Sequence, residues 1–197
     1  MGCDIHCYVE KWVGTHWVPV YPPNDEGAGW RNWGRYTPSP SPIELLAQAH
    51  TPVEQLEPHE APYWYFGRDY EAFGNLAGVR RQDLVFEEPR GLPEDMSPGT
   101  LRVYGVKIGE DLTSEKADRW VKERISKRFT LGGEEYVTGP GWHSASYFTL
   151  RELATHIAEN LTAEPRILEL REAMKNVLQE NGMEDASHVR VVFWFDN

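Results

Sequence analysis

Both ends of this chain read as β-strands. Gly2-Cys3-Asp4-Ile5-His6-Cys7-Tyr8-Val9-Glu10 opens it, and Val189-Arg190-Val191-Val192-Phe193-Trp194-Phe195-Asp196-Asn197 closes it. Chain ends ordinarily fray, so apolar patterning that runs to within a residue or two of each end predicts that both are built into the core. If the two strands are neighbours in one sheet, Asp4, His6 and Asp196 converge, and a polar pocket forms where they meet.

Between these ends the pattern predicts strands near both termini with helices between them. In residues 3–12, Ile5, Cys7 and Val9 point one way, while Asp4, His6, Tyr8, Glu10 and Trp12 point the other. After a turn at Val13-Gly14-Thr15, residues 16–21 form the return strand of a hairpin, and Pro19, which cannot donate to a ladder, makes that strand an edge. Residues 22–42 read as a loop ordered by Trp30, Trp33 and Tyr36, residues 43–50 as a short helix, and residues 51–61 as irregular. Tyr70, Phe73, Leu76 and Ala77 share a helical face that Gly78 ends. Pro89 to Asp95 reads as a rigid surface turn, Leu101 to Ile108 as a strand, and Thr113 or Ser114 as the cap of a helix running to about Ser126. A Gly-rich stretch from Gly132 to Gly141 leads to Thr149-Leu150-Arg151-Glu152, a capping box. The longest helix spans 165–181, with Ile167, Leu170, Met174, Val177 and Leu178 as its buried stripe and Gly182 as its stop. The expected fold is α+β in one domain over 1–197: a mostly antiparallel sheet that includes both chain termini, with helices packed on one face.

The 197 residues are enough to bury a core. The balance of 20 basic and 31 acidic residues, a net charge of -11, repels a phosphate backbone, so a nucleic acid duplex is not an expected partner. No apolar run approaches the ~18 residues of a membrane span, and no charged-then-apolar leader opens the chain, so neither membrane nor secretion is expected. Cys3 and Cys7, four positions apart on one strand, would stand about 13 Å apart, beyond the reach of a disulfide or of one metal ion.

Several motifs together resemble a family of uncharacterised proteins encoded by tailed bacteriophages and prophages. They are Met1-Gly2-Cys3-Asp4-Ile5-His6; Arg68-Asp69-Tyr70 with Phe73, Leu76-Ala77 and Val79-Arg80; Pro89 to Asp95; His143-Ser144 with Ser146 before Thr149-Leu150; and Val189-Arg190 to Asn197. The family more often has Asn where Asp69 stands and a small or acidic residue where Trp142 stands. The resemblance implies an accessory phage protein acting in the host cytoplasm, and no established activity comes with it.

Asp-x-His on a strand places a carboxylate and an imidazole on one face with Cα atoms about 6.6 Å apart, within reach of one divalent metal ion or one reacting water. Asp4, His6 and Asp196 are therefore the expected metal ligands, and His6 or His143, with Asp4 and Asp196, the expected catalytic groups. A capped Asp and a hydrogen-bonded core His would give the same spacing. His143, Ser144 and Ser146 lie on a Gly-rich approach to a capped helix, where amides and hydroxyls can hold an anion. Arg68, Arg80 and Arg90 offer guanidinium forks for a phosphate or carboxylate, and Asn75 lies off the apolar stripe of its helix, where it can bond a base or an amide. No Walker loop, dinucleotide fingerprint, His-Glu-x-x-His pair or nucleophile elbow is present, which disfavours the common cofactor enzymes. The expected partner is a small anionic or nucleotide-like ligand, with metal-dependent hydrolysis as a further step. The alternative is a host protein bound without chemistry through the acidic surface and the aromatic loops, where several of the eight tryptophans fall, among them Trp17, Trp30, Trp33, Trp64 and Trp142.

Overall fold

A computed structural model describes residues 4–20, 64, 69–79, 88–159 and 165–196. The expectations for the loop at 22–42, the helix at 43–50, and Cys3, Arg68, Arg80 and Asn197 lie outside the described residues.

The opening hairpin forms as its alternation dictates. Strands β1 (Ile5–Val13) and β2 (His16–Val20) pair antiparallel, with Glu10 opposite Pro19. The closing strand β7 (Val189–Phe195) pairs antiparallel with β1, Ile5 opposite Phe195 and His6 opposite Trp194. Strand β6 (His143–Thr149) lies on the other side of β7, giving the order β2-β1-β7-β6, with β2 at an edge. The fold is α+β, and one antiparallel sheet holds both the first and the last strand.

The two faces of this sheet are covered differently. Ile5, Cys7, Val9, Val191, Phe193 and Phe195 pack against α1 (Tyr70–Ala77), α4 (Leu150–Glu159) and α5 (Pro165–Glu180). Asp69 caps α1, accepting from the Ala72 N–H at 3.0 Å, and Gly78 stops it in the left-handed region. In α5 the predicted stripe is buried at Ile167, Leu170, Met174 and Val177, while Leu178 packs against it partly exposed. Tyr8, Val192 and Trp194 face the other way, toward α2 (Pro98–Tyr104) and a second, three-stranded antiparallel sheet of β3 (Gly105–Lys107), β4 (Arg128–Leu131) and β5 (Glu134–Thr138), in the order β3-β5-β4.

Four local expectations change. Residues 101–104 are the end of a helix, because Ser97 caps it, its hydroxyl accepting from the Thr100 N–H at 3.2 Å, and Pro98 suits its first turn; only Gly105–Lys107 remains as strand. Helix α3 (Ser114–Lys122), capped by Thr113, ends short of Ser126. The Gly-rich stretch is largely a hairpin, with Gly132 and Gly133 at φ 60° and 81° forming the two-residue turn between β4 and β5. Trp17 and Trp64 are core residues rather than loop platforms: both are buried, and the Trp64 indole N–H donates to the Val20 carbonyl at 2.7 Å.

The capping box ahead of α4 forms as expected. Glu152 Oε2 accepts from the Thr149 N–H (2.8 Å) and hydroxyl (2.9 Å), and the Thr149 hydroxyl accepts from the Glu152 N–H (3.2 Å). The other Glu152 oxygen takes the Arg90 guanidinium at 2.8 Å. Burial pushes this carboxyl up, but the Thr149 amide, the Arg90 guanidinium and the Thr149 hydroxyl outweigh it and hold the pKa below the usual Glu value. The stabilisation is thus complete above the unfolded pKa of about 4.3 and is lost as pH falls through the lower folded value. Glu152→Gln is expected to cost about 1 kcal/mol at neutral pH, the scale of a lost cap. Urea titrations across pH 3–7 should show the wild-type decline below about pH 4.3 flattened in the variant; parallel curves would refute the assignment.

Candidate functional site

The pairing of β1 with β7 brings the two chain ends together. The Asp4 N–H donates to Asp196 Oδ1 at 2.7 Å, the Asp196 N–H donates to the Asp4 carbonyl at 3.1 Å, and Asp196 Oδ2 lies 3.0 Å from His6 Nε2. The pair is partly open to solvent, the His6 and Asp196 side chains retaining 23% and 29% exposure. The His6 ring stacks on Trp194 with centroids 5.7 Å apart and contacts Trp142 at 5.4 Å.

The expected metal set is not assembled. Among the described residues no group of three or more His, Cys, Asp or Glu is placed to hold a metal ion. One Asp196 oxygen accepts from a backbone amide of β1, and the other faces His6 Nε2. Asp196 thus joins the strand ends and orients an imidazole.

His143 does not join this pair. It lies opposite Phe195 in the β6–β7 ladder and stacks on that ring with centroids 5.8 Å apart, whereas His6 stacks on Trp194, whose side chain leaves the other face of β7. The register of β6 shifts between His143 and Ser146. Inside this bulge Ser144 adopts φ 52°, and its hydroxyl lies 3.0 Å from His143 Nδ1.

Two expected ligand-binding residues, Arg90 and Ser146, serve the fold instead. The Arg90 guanidinium is held by Glu152 and the Tyr147 carbonyl and lies 4.5 Å from the centre of the Phe148 ring, so it clasps β6 to α4. Ser146 is fully buried, and its hydroxyl accepts the Arg90 N–H at 3.4 Å, which keeps it from any ligand. Asn75 is half-buried on α1, across the sheet from Trp194.

What sequence reasoning missed is a cleft of about 450 Å³ between the two sheets. Tyr104, Phe129 and Trp142 supply aromatic wall, Lys127 and Arg128 basic rim, and Ser144 a hydroxyl; His143 and Glu94 also border it. Trp142 is wedged between His6, Tyr104 and Trp194, at 5.4, 5.5 and 5.2 Å between centroids. Gly139 permits this seat, since a Cβ there would come within 2.7 Å of the Trp142 ring. Burial pushes the Tyr104 hydroxyl up to about 12, so the wall is uncharged at neutral pH. Arg128 is neutralised by Asp118 and Glu135, whereas Lys127 is exposed and has no ion pair among the described residues. The sequence signal was the adjacent basic pair Lys127-Arg128. His6 contacts the cleft through Trp142, so His6 and Asp196 brace the wall from behind.

No protein family model, curated protein or solved structure matches this chain. Among the described residues no helix is long and apolar enough to cross a membrane.

Proposed function

We propose that this is an accessory phage protein of the host cytoplasm that binds a small, planar, anionic ligand of nucleotide-like chemistry in the cleft between its two sheets. One observation carries the reading: a concave site of about 450 Å³ joins an aromatic wall to the Lys127 ammonium in a chain whose net charge is -11. Concave, mostly apolar sites with a few polar groups are where proteins hold small molecules. Rings of this kind stack on a base, and an ammonium attracts its phosphate. The likeness of Met1 to His6 and of Val189 to Asn197 to tailed-phage proteins supports the biological setting. In this reading His6 and Asp196 are positioning residues that hold Trp142, and no metal is required.

The test is a thermal-shift and tryptophan-fluorescence screen of nucleoside mono-, di- and triphosphates. A ligand at 100 times its dissociation constant stabilises the folded chain by about 2.7 kcal/mol, and quenching should accompany the shift because Trp142 lines the site. Trp142→Ala and Lys127→Glu should each weaken binding at least tenfold. Equal binding by wild type and Lys127→Glu, or no response to any member of the panel, would overturn the reading.

A further inference from the structure

The bulge in β6 carries chemistry that binding alone does not use. Ser144 is one of two non-glycine residues with positive φ among the described residues, at 52°. Such a conformation is unfavourable for a residue with a β-carbon and persists only where its surroundings hold it. Bulges re-aim side chains and are common beside active sites. Here the strained residue is a serine that borders the 450 Å³ cleft, with its hydroxyl 3.0 Å from an imidazole nitrogen. That imidazole is itself seated, stacked on Phe195 at 18° between planes. A hydroxyl within hydrogen-bond reach of a held base is the arrangement that activates serine as a nucleophile. Ser146, two positions on, lacks both features: it is fully buried and satisfied by a backbone amide.

We propose that Ser144 is a nucleophile toward carboxylic esters, with His143 as its general base. In the first step Ser144 Oγ bonds to the ester carbonyl carbon, the carbonyl electron pair moves onto oxygen, and the hydroxyl proton passes to His143 Nδ1. Collapse of the tetrahedral species breaks the bond to the alkoxy oxygen, which leaves as the alcohol with that proton. Water, deprotonated by the same nitrogen, then attacks the acyl carbon; the bond to Ser144 Oγ breaks, Oγ takes the proton from His143, and the carboxylic acid leaves. Lys127, on the same cleft, favours the oxyanion by its charge. The activity is independent of whether a nucleotide binds, so the two readings can fail separately.

The experiment treats the whole chain with a fluorophosphonate probe and, separately, with p-nitrophenyl acetate. The expected result is one adduct per chain at Ser144, located by peptide mass spectrometry, and a nitrophenol burst of matching size. Ser144→Gly keeps the fold, because glycine adopts this φ without strain, and should abolish both signals while leaving the melting temperature equal or higher. His143→Phe keeps a ring against Phe195 but removes Nδ1; it should slow labelling about 100-fold, within the range of a lost general base, and flatten its pH dependence. Equal labelling of wild type and Ser144→Gly, or no adduct in wild type, would overturn the nucleophile. An unchanged rate and pH profile in His143→Phe would overturn the base.

Discussion

Replacing Arg190 with leucine is expected to cost about 3–5 kcal/mol of folding stability, the scale of breaking a buried ion pair by removing one partner. Arg190 is 3% exposed, and its Nε donates to Glu10 Oε2 at 2.7 Å, while Glu10 itself is fully buried. The second Glu10 oxygen accepts the Ser97 N–H at 3.0 Å, at the start of α2. The guanidinium continues to Asp95, through its carboxylate at 2.6 Å and its carbonyl at 3.0 Å, and lies 4.0 Å from the centre of the Trp17 ring. The Trp17 indole N–H returns to the other Asp95 oxygen at 2.8 Å. One cation thus ties β7, β1, β2 and the entry to α2. Arg190→Leu leaves the Glu10 charge buried without its counterion, which is the costly outcome. The double variant Glu10→Leu with Arg190→Leu removes both charges and should recover a substantial part of the loss. Urea denaturation of the three proteins decides it; a single variant within about 1 kcal/mol of wild type would mean that the pair contributes little.

Trp194→Ala should be comparably severe, about 3–5 kcal/mol, because it empties a fully buried indole site on an inner strand of the sheet. It should also abolish ligand binding in the cleft, since Trp194 supports Trp142 on one side and His6 on another. Trp194→Phe separates packing from polarity. The indole N–H of Trp194 is buried with no hydrogen-bond partner among the described residues, and the ring meets Tyr104 edge-on at 87°. Phenylalanine keeps an aromatic face and deletes the unsatisfied donor, so its cost should stay below about 1.5 kcal/mol. Thermal unfolding and fluorescence titration report the two effects. A Trp194→Ala protein that still binds with wild-type affinity would show that the cleft wall is shaped elsewhere.

The two terminal strands were legible because alternation over Ile5, Cys7 and Val9, and apolar continuity over Val191 to Phe195, each fix a strand, whereas their pairing was only a condition, because strand order is not written in the chain. The helix caps at Thr113 and Thr149 were legible because capping is local chemistry. The second sheet was not: Phe129, Thr130 and Leu131 are too few to signal a strand over the glycines that follow. The candidate site divides along the same line. His6 and Asp196 face each other because strand period and register are enough to join them, whereas His143 was placed with them because a shift of register cannot be read from the chain. Arg90 illustrates a further limit, since its forked charge is equally suited to a ligand or to Glu152, and only the fold chooses between them.

The hydrogen bond from Asp4 to Asp196 closes a loop spanning 192 positions of chain. Pairings this distant raise contact order and slow folding, because the entropy of closure is spent before any contact is gained. During synthesis the first hairpin therefore waits with one open strand edge until β7 has emerged and can enter between β1 and β6. Until that event, the early hairpin presents an edge that other chains can pair with, so its yield in the cell depends on how well that interval is protected.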